Sequence, residues 1–127
     1  MTGVQTCALP IYLLLAKASD AAGNVGTSST VTVTVDNTLP ILSITSPANG
    51  SSIPANGQVS IKVSATDNVG VTKVEIRIDG VLKATLTVAP YTYTWNAKKV
   101  AKGPHTIMAT ATDTAGNNAS TSVTVNK

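Results

Sequence analysis

Phenylalanine is missing from this chain of 127 residues, and aromatic residues make up only 3 % of it. A core must therefore be built from Val, Ile, Leu and Ala, which supply most of an apolar share of 43 %. Charge is scarce too: 12 % of residues are Asp, Glu, Lys or Arg, about half the usual share. The net charge of +3 comes from lysines scattered along the chain, which excludes the basic stripe that nucleic-acid binding needs. Apolar runs fall short of the ~20 residues of a membrane-spanning helix. A single cysteine, Cys7, excludes a disulfide framework and leaves the redox compartment open. Histidine and glutamate occur once each, as His105 and Glu75. His105 follows Gly103-Pro104 and reads as an exposed strand-end residue, and Glu75 as a solvated, outward one. The chain has no nucleophile-elbow G-x-S-x-G, no Cys/His cluster for zinc and no Gly-rich phosphate loop. No enzyme is expected.

What is abundant is Val, Ile and Thr, the residues that favour strands. QVSIKVSAT (58–66) alternates strictly, with Val59, Ile61, Val63 and Ala65 on one face. KVEIRI (73–78) does the same with Val74, Ile76 and Ile78. Asp79-Gly80 follows at once, and this pair supplies the positive φ of a two-residue hairpin turn. Leu82, Ala84, Leu86 and Val88 line the return strand. With 41–46, 91–95, 105–112 and 120–125 this makes seven short strands of period two, the pattern of an all-β sandwich.

The chain also repeats itself. AKASDAAGN (16–24) matches ATATDTAGN (109–117); Asp20 aligns with Asp113, so the offset is 113 − 20 = 93 residues. Each copy runs on into a Ser/Thr-rich alternating strand. A period this long suits tandem β domains rather than a solenoid. The expected division is a hairpin at 12–37, a linker at 38–40 within VDNTLP, and a complete domain at 41–127.

The stretches VSATDNVGVTKVEIRIDG, APYTYTW and GPHTIMATATDTAGN resemble the bacterial immunoglobulin-like (Big-type) tandem repeat domains. The resemblance covers about 40–127, and 12–37 is similar to the last two strands of a preceding copy. It implies an Ig-like seven-stranded antiparallel β-sandwich, preceded by a hairpin left from a truncated neighbouring repeat. It further implies a non-catalytic spacer or adhesion module, extracellular or on the bacterial cell surface, with neighbouring repeats as partners. The opening MTGVQTCALPI (1–11) resembles translated sequencing-adapter sequence. The expectation is that it has no fold, that Cys7 has no role, and that the chain is a fragment.

Two groups remain as candidate sites. In an Ig-like sandwich the entry linker, the loop between the second and third strands and the last hairpin loop lie at one end. That gathers Asp36, Asp67 and Asp113, an oxygen set suited to Ca²⁺. Equally, each Asp closes its own turn through an Asx bond, which D-x-x-G sequences favour. Calcium is the one cofactor considered. Tyr91, Tyr93 and Trp95 share one face of a strand. That row suits either a Phe-free core or a platform for surface glycans or polysaccharide. The second option corresponds to a carbohydrate-binding module appended to a secreted polysaccharide-degrading enzyme. Residues 12–36 lack most of a partner sheet, and a lone hairpin is marginal in water.

Overall fold

A computed structural model describes residues 9–127. They form eleven strands in two units, which divide between Asn37 and Thr38. Cys7 and the rest of 1–8 lie outside the described residues.

The first unit carries β1 (Ile11–Leu14), β2 (Lys17–Ser19), β3 (Val25–Thr27) and β4 (Val31–Thr34). Two antiparallel pairs form, β2 with β3 around the Asp20 turn and β1 with β4 beyond it. Pro10 and Ile11 correct the expectation that 1–11 has no fold. Ile11 pairs with Thr34, and the Pro10 carbonyl accepts the Val35 N–H at 3.1 Å. The apolar side chains here stay wet: Tyr12, Leu14 and Val31 are each more than half exposed. Cross-strand partners share a face, so Tyr12 and Leu14 lie with Val33 and Val31.

The second unit carries β5 (Ile41–Ser46), β6 (Gln58–Thr66), β7 (Val71–Ile78), β8 (Val81–Leu86), β9 (Tyr91–Asn96), β10 (Pro104–Asp113) and β11 (Asn118–Asn126). These are the seven expected strands. One sheet runs β11-β10-β7-β8 and the other β5-β6-β9, all antiparallel. Between the sheets lie the alternate residues that the period-two pattern selects: Ile61 from β6, Val74 and Ile76 from β7, Ile107, Ala109 and Ala111 from β10, and Val125 from β11. Each buried Ile or Val contributes about 1.5–3 kcal/mol of hydrophobic stabilisation. After β5 the chain crosses to the other sheet, where Ser52 bridges Asn126 in parallel. That crossing closes the sandwich edge beside β11.

Asp79 and Gly80 have φ of 51° and 80°, as the turn between β7 and β8 requires. A bulge between Ile76 and Arg77 shifts the register of that hairpin. Leu82 accordingly opposes Arg77 and is exposed, while the return strand ends at Leu86 and Val88 stands in solvent.

The two units pair their repeated strands differently. In the second, Ile107 opposes Val123. Subtracting 93 maps this pair to Leu14 and Thr30 (107 − 93 = 14; 123 − 93 = 30), yet Leu14 pairs with Val31. Nearer the turn the equivalence is intact: Ala111 opposes Ala119, and Ala18 opposes Gly26. One additional residue in the Ser28–Thr30 stretch accounts for the shift, because a one-residue slip is what an insertion imposes on a ladder.

Candidate functional site

Two turns carry the carboxylates at one end of the second unit. The Asp113 turn joins β10 to β11. Its Oδ1 accepts the N–H groups of Ala115 and Asn117, both at 2.8 Å, and its Oδ2 accepts the Asn117 side-chain amide at 2.7 Å. Gly116 takes the positive φ of 92° that completes the turn. Asp113 is buried at 2 % exposure. Burial pushes its carboxyl pKa up, but the hydrogen bonds from Asn117, Ala115 and Gly116 outweigh this and hold it below its ordinary value.

Asp67, between β6 and β7, builds a smaller turn by accepting the N–H groups of Val69 and Gly70 at 3.0 Å. The two turns are tied together, since Thr114 N–H donates to the Gly70 carbonyl at 3.1 Å. Thr72 adds to this through its hydroxyl, which reaches the carbonyls of Thr112 and Asp113. Carboxylate oxygens of Asp67 and Asp113 consequently approach within 4.8 Å. The Asn117 side chain also donates to the carbonyl of Thr38, the first residue of this unit, at 3.2 Å. Asp36 belongs to the other unit and is partly buried. Chemically, the pair of turns offers hard oxygen donors in a polar setting, the kind of surface that suits a cation such as Ca²⁺.

The aromatic row lies elsewhere. Tyr91 and Trp95 are buried in the core at 8 % and 5 % exposure, and Tyr93 is partly buried against them. Thr92 and Thr94 occupy the outer face, so the strand presents no exposed aromatic row.

His105 is where sequence reasoning fails. The expected exposed residue is buried. Its Nδ1 lies 2.7 Å from Asp79 Oδ2 and its Nε2 lies 2.9 Å from the Ala101 carbonyl. Its ring meets Trp95 edge-on at 5.7 Å. A lone histidine carries no sequence signal for a partner 26 residues away, since only the β7–β10 register brings them together. Glu75 does face outward, but it is bracketed by Lys73 and Arg77, each at 3.0 Å. Period two places all three on one face, and the two ion pairs hold the Glu75 carboxyl below its ordinary pKa, Lys73 foremost.

The family described as the bacterial Ig domain matches residues 40–125, more than half of the chain. The chain belongs to the bacterial Ig domain family. A solved structure of fibronectin(III)-like modules from Clostridium thermocellum CbhA aligns with a TM-score of 0.64 at 25 % identity. The alignment covers 94 % of this chain and 63 % of that one, so this chain spans less than two thirds of that neighbour's length. Two structures of a Cellulomonas fimi endo-β-1,4-mannanase also align. The double mutant does so at TM-score 0.47 and 25 % identity, covering 68 % of this chain and 18 % of that one. The modular family 26 mannanase does so at 0.48 and 26 % identity, covering 76 % and 20 %. No curated protein matches this chain. Family and fold mark the matched region as a non-catalytic module. Among the described residues, no helix is long and apolar enough to cross a membrane.

Proposed function

We propose that this bacterial Ig domain is a spacer or adhesion module of a secreted or surface-anchored multidomain protein, and that Ca²⁺ stiffens it at the Asp67 and Asp113 turns. The approach of those two carboxylates within 4.8 Å carries the calcium reading. Two like charges at that range favour a bound cation. Backbone carbonyls and water complete a shell of six to eight oxygens. Membership of a bacterial Ig family and likeness to a module of a larger bacterial protein support the spacer role and the extracellular location. In this reading neighbouring repeats are the partners.

Calorimetry with calcium on the whole chain tests the site. The expected result is binding with a Kd of about 0.1–1 mM, the range of extracellular modules, with a rise in melting temperature. Asp67→Asn should abolish both effects while leaving the buried Asp113 turn in place. No heat and no thermal shift at millimolar calcium would overturn the calcium reading.

A further inference from the structure

The end of the sandwich remote from the calcium turns holds a second polar cluster. It lies at the other end of β10, about 26 Å away at ~3.3 Å per residue over the eight steps from His105 to Asp113. The 97–103 loop between β9 and β10 is fastened there by two side chains. The Lys127 ammonium donates to the carbonyls of Ala97, Lys98 and Val100 at 2.9, 2.6 and 2.9 Å. The His105 ring reaches the Ala101 carbonyl at 2.9 Å. The second fastener is an imidazole, a group whose ordinary titration falls near physiological pH.

Both ring nitrogens of His105 face acceptors, Asp79 Oδ2 and the Ala101 carbonyl. Only the imidazolium has two N–H groups, so only the charged ring satisfies both. We propose that His105 is a pH-sensitive latch: protonated, it clasps the 97–103 loop to the Asp79 turn, and on losing a proton it releases the loop at Ala101.

The neutral ring carries one hydrogen. The charge-assisted bond to Asp79 is the stronger of the two and keeps it. The Nε2 lone pair then points at the Ala101 carbonyl oxygen, and the contact opens. Asp79 stays in place because its Oδ1 accepts the Thr106 N–H at 2.9 Å. Lys127 continues to hold Ala97, Lys98 and Val100, and its backbone exchanges two hydrogen bonds with Gly103 at 3.0 Å, so release is confined to Ala101 and Lys102. Around the ring, the Asp79 hydrogen bond and then the Ala101 carbonyl raise the His105 pKa above its ordinary 6.5, against burial and the Lys127 charge. Asp79 is itself pushed up by burial, but its bonds to His105 and Thr106 and the charges of His105 and Lys83 outweigh that and keep it low. The 97–103 loop itself carries Lys98, Lys99 and Lys102. A raised histidine pKa means the latch is fully closed below pH 6.5 and opens as pH rises through the higher folded value.

Nitrogen NMR of the single histidine in the whole chain tests this. The expected spectrum at pH 6 shows both ring nitrogens protonated, with a midpoint above 6.5. Backbone shifts of Ala101 and Lys102, and the emission of Trp95, should follow the same midpoint. Exchange protection of the loop should fall about ten-fold for each unit by which that midpoint exceeds 6.5. Asp79→Asn should bring the midpoint back toward 6.5, and His105→Gln should make the loop shifts independent of pH. A midpoint at or below 6.5 would overturn the latch. So would loop shifts that titrate unchanged in His105→Gln.

Discussion

The D-x-A-G-N turn occurs twice, and the two copies are the same to within a few tenths of an ångström. Asp20 Oδ1 accepts the N–H groups of Ala22 and Asn24 at 2.9 Å, and Oδ2 accepts the Asn24 amide at 2.8 Å. Asp113 repeats this set. Gly23 and Gly116 have φ of 87° and 92°. Yet Asp113 is buried and Asp20 exposed. The turn is thus a local product of five residues, whereas burial comes from the sheet that covers it. β10 pairs with β7 on its far edge and buries Ile107, Ala109 and Ala111. Their counterparts by the offset of 93 are Leu14, Ala16 and Ala18, all exposed. The same letters give the same turn, and only one copy becomes part of a core.

The sharpest way to break the equivalence is through the apolar pair. Ile107→Ala should lower stability by about 2–5 kcal/mol in thermal or denaturant unfolding, because it opens a cavity in a closed core. Its counterpart Leu14→Ala should change stability by less than ~0.5 kcal/mol, as exposed positions do. Next comes the turn acid. Asp113→Ala leaves two backbone N–H groups and the Asn117 amide to find new partners inside the protein, and should lower the melting temperature of the second unit clearly. Asp20→Ala leaves the equivalent groups in water and should not move that transition.

Acid provides a milder version of the same contrast. Both carboxyls are held below their ordinary 3.8, Asp113 against burial and Asp20 chiefly by Asn24. A depressed folded pKa stabilises above pH 3.8, and this stabilisation is lost as pH falls through the lower folded value. Acid unfolding of the second unit should therefore be less steep in Asp113→Asn and unchanged in Asp20→Asn. The smallest expected effect is the one the copies share. Neither Gly23 nor Gly116 has any atom within 4 Å of an added Cβ, so only the left-handed backbone resists substitution. Alanine at either position should strain its turn by about 1 kcal/mol. Gly116→Ala should show this in global unfolding, and Gly23→Ala only in local exchange at Ala22 and Asn24.

What the sequence made legible follows the same division between local and long-range. Alternation in 58–66 and 73–78, together with Asp79-Gly80, reveals strands and a turn because period two and positive φ are properties of adjacent residues. The parallel bridge of Ser52 to Asn126 carries no such mark. Neither does the His105–Asp79 pair. The single-residue shift that sets Leu14 against Val31 is written in the Ser28–Thr30 stretch, but it becomes readable only once the other copy's register is known. For the candidate metal site, the turn chemistry of Asp67 and Asp113 was legible as D-x-x-G. Their mutual approach depends on how β6, β7 and β10 are ordered in two sheets.

Native-state hydrogen exchange on the whole chain compares the two turns most directly. The Asp113 and Asn117 amides, bonded to the Asn117 carbonyl and to Asp113 Oδ1, should exchange only when the sandwich unfolds as a whole. The Asp20 and Asn24 amides have the same partners in their own turn, and should exchange through local opening with far less protection. Equal protection of the two turns would contradict the claim that only the sheet-covered copy belongs to a stable module.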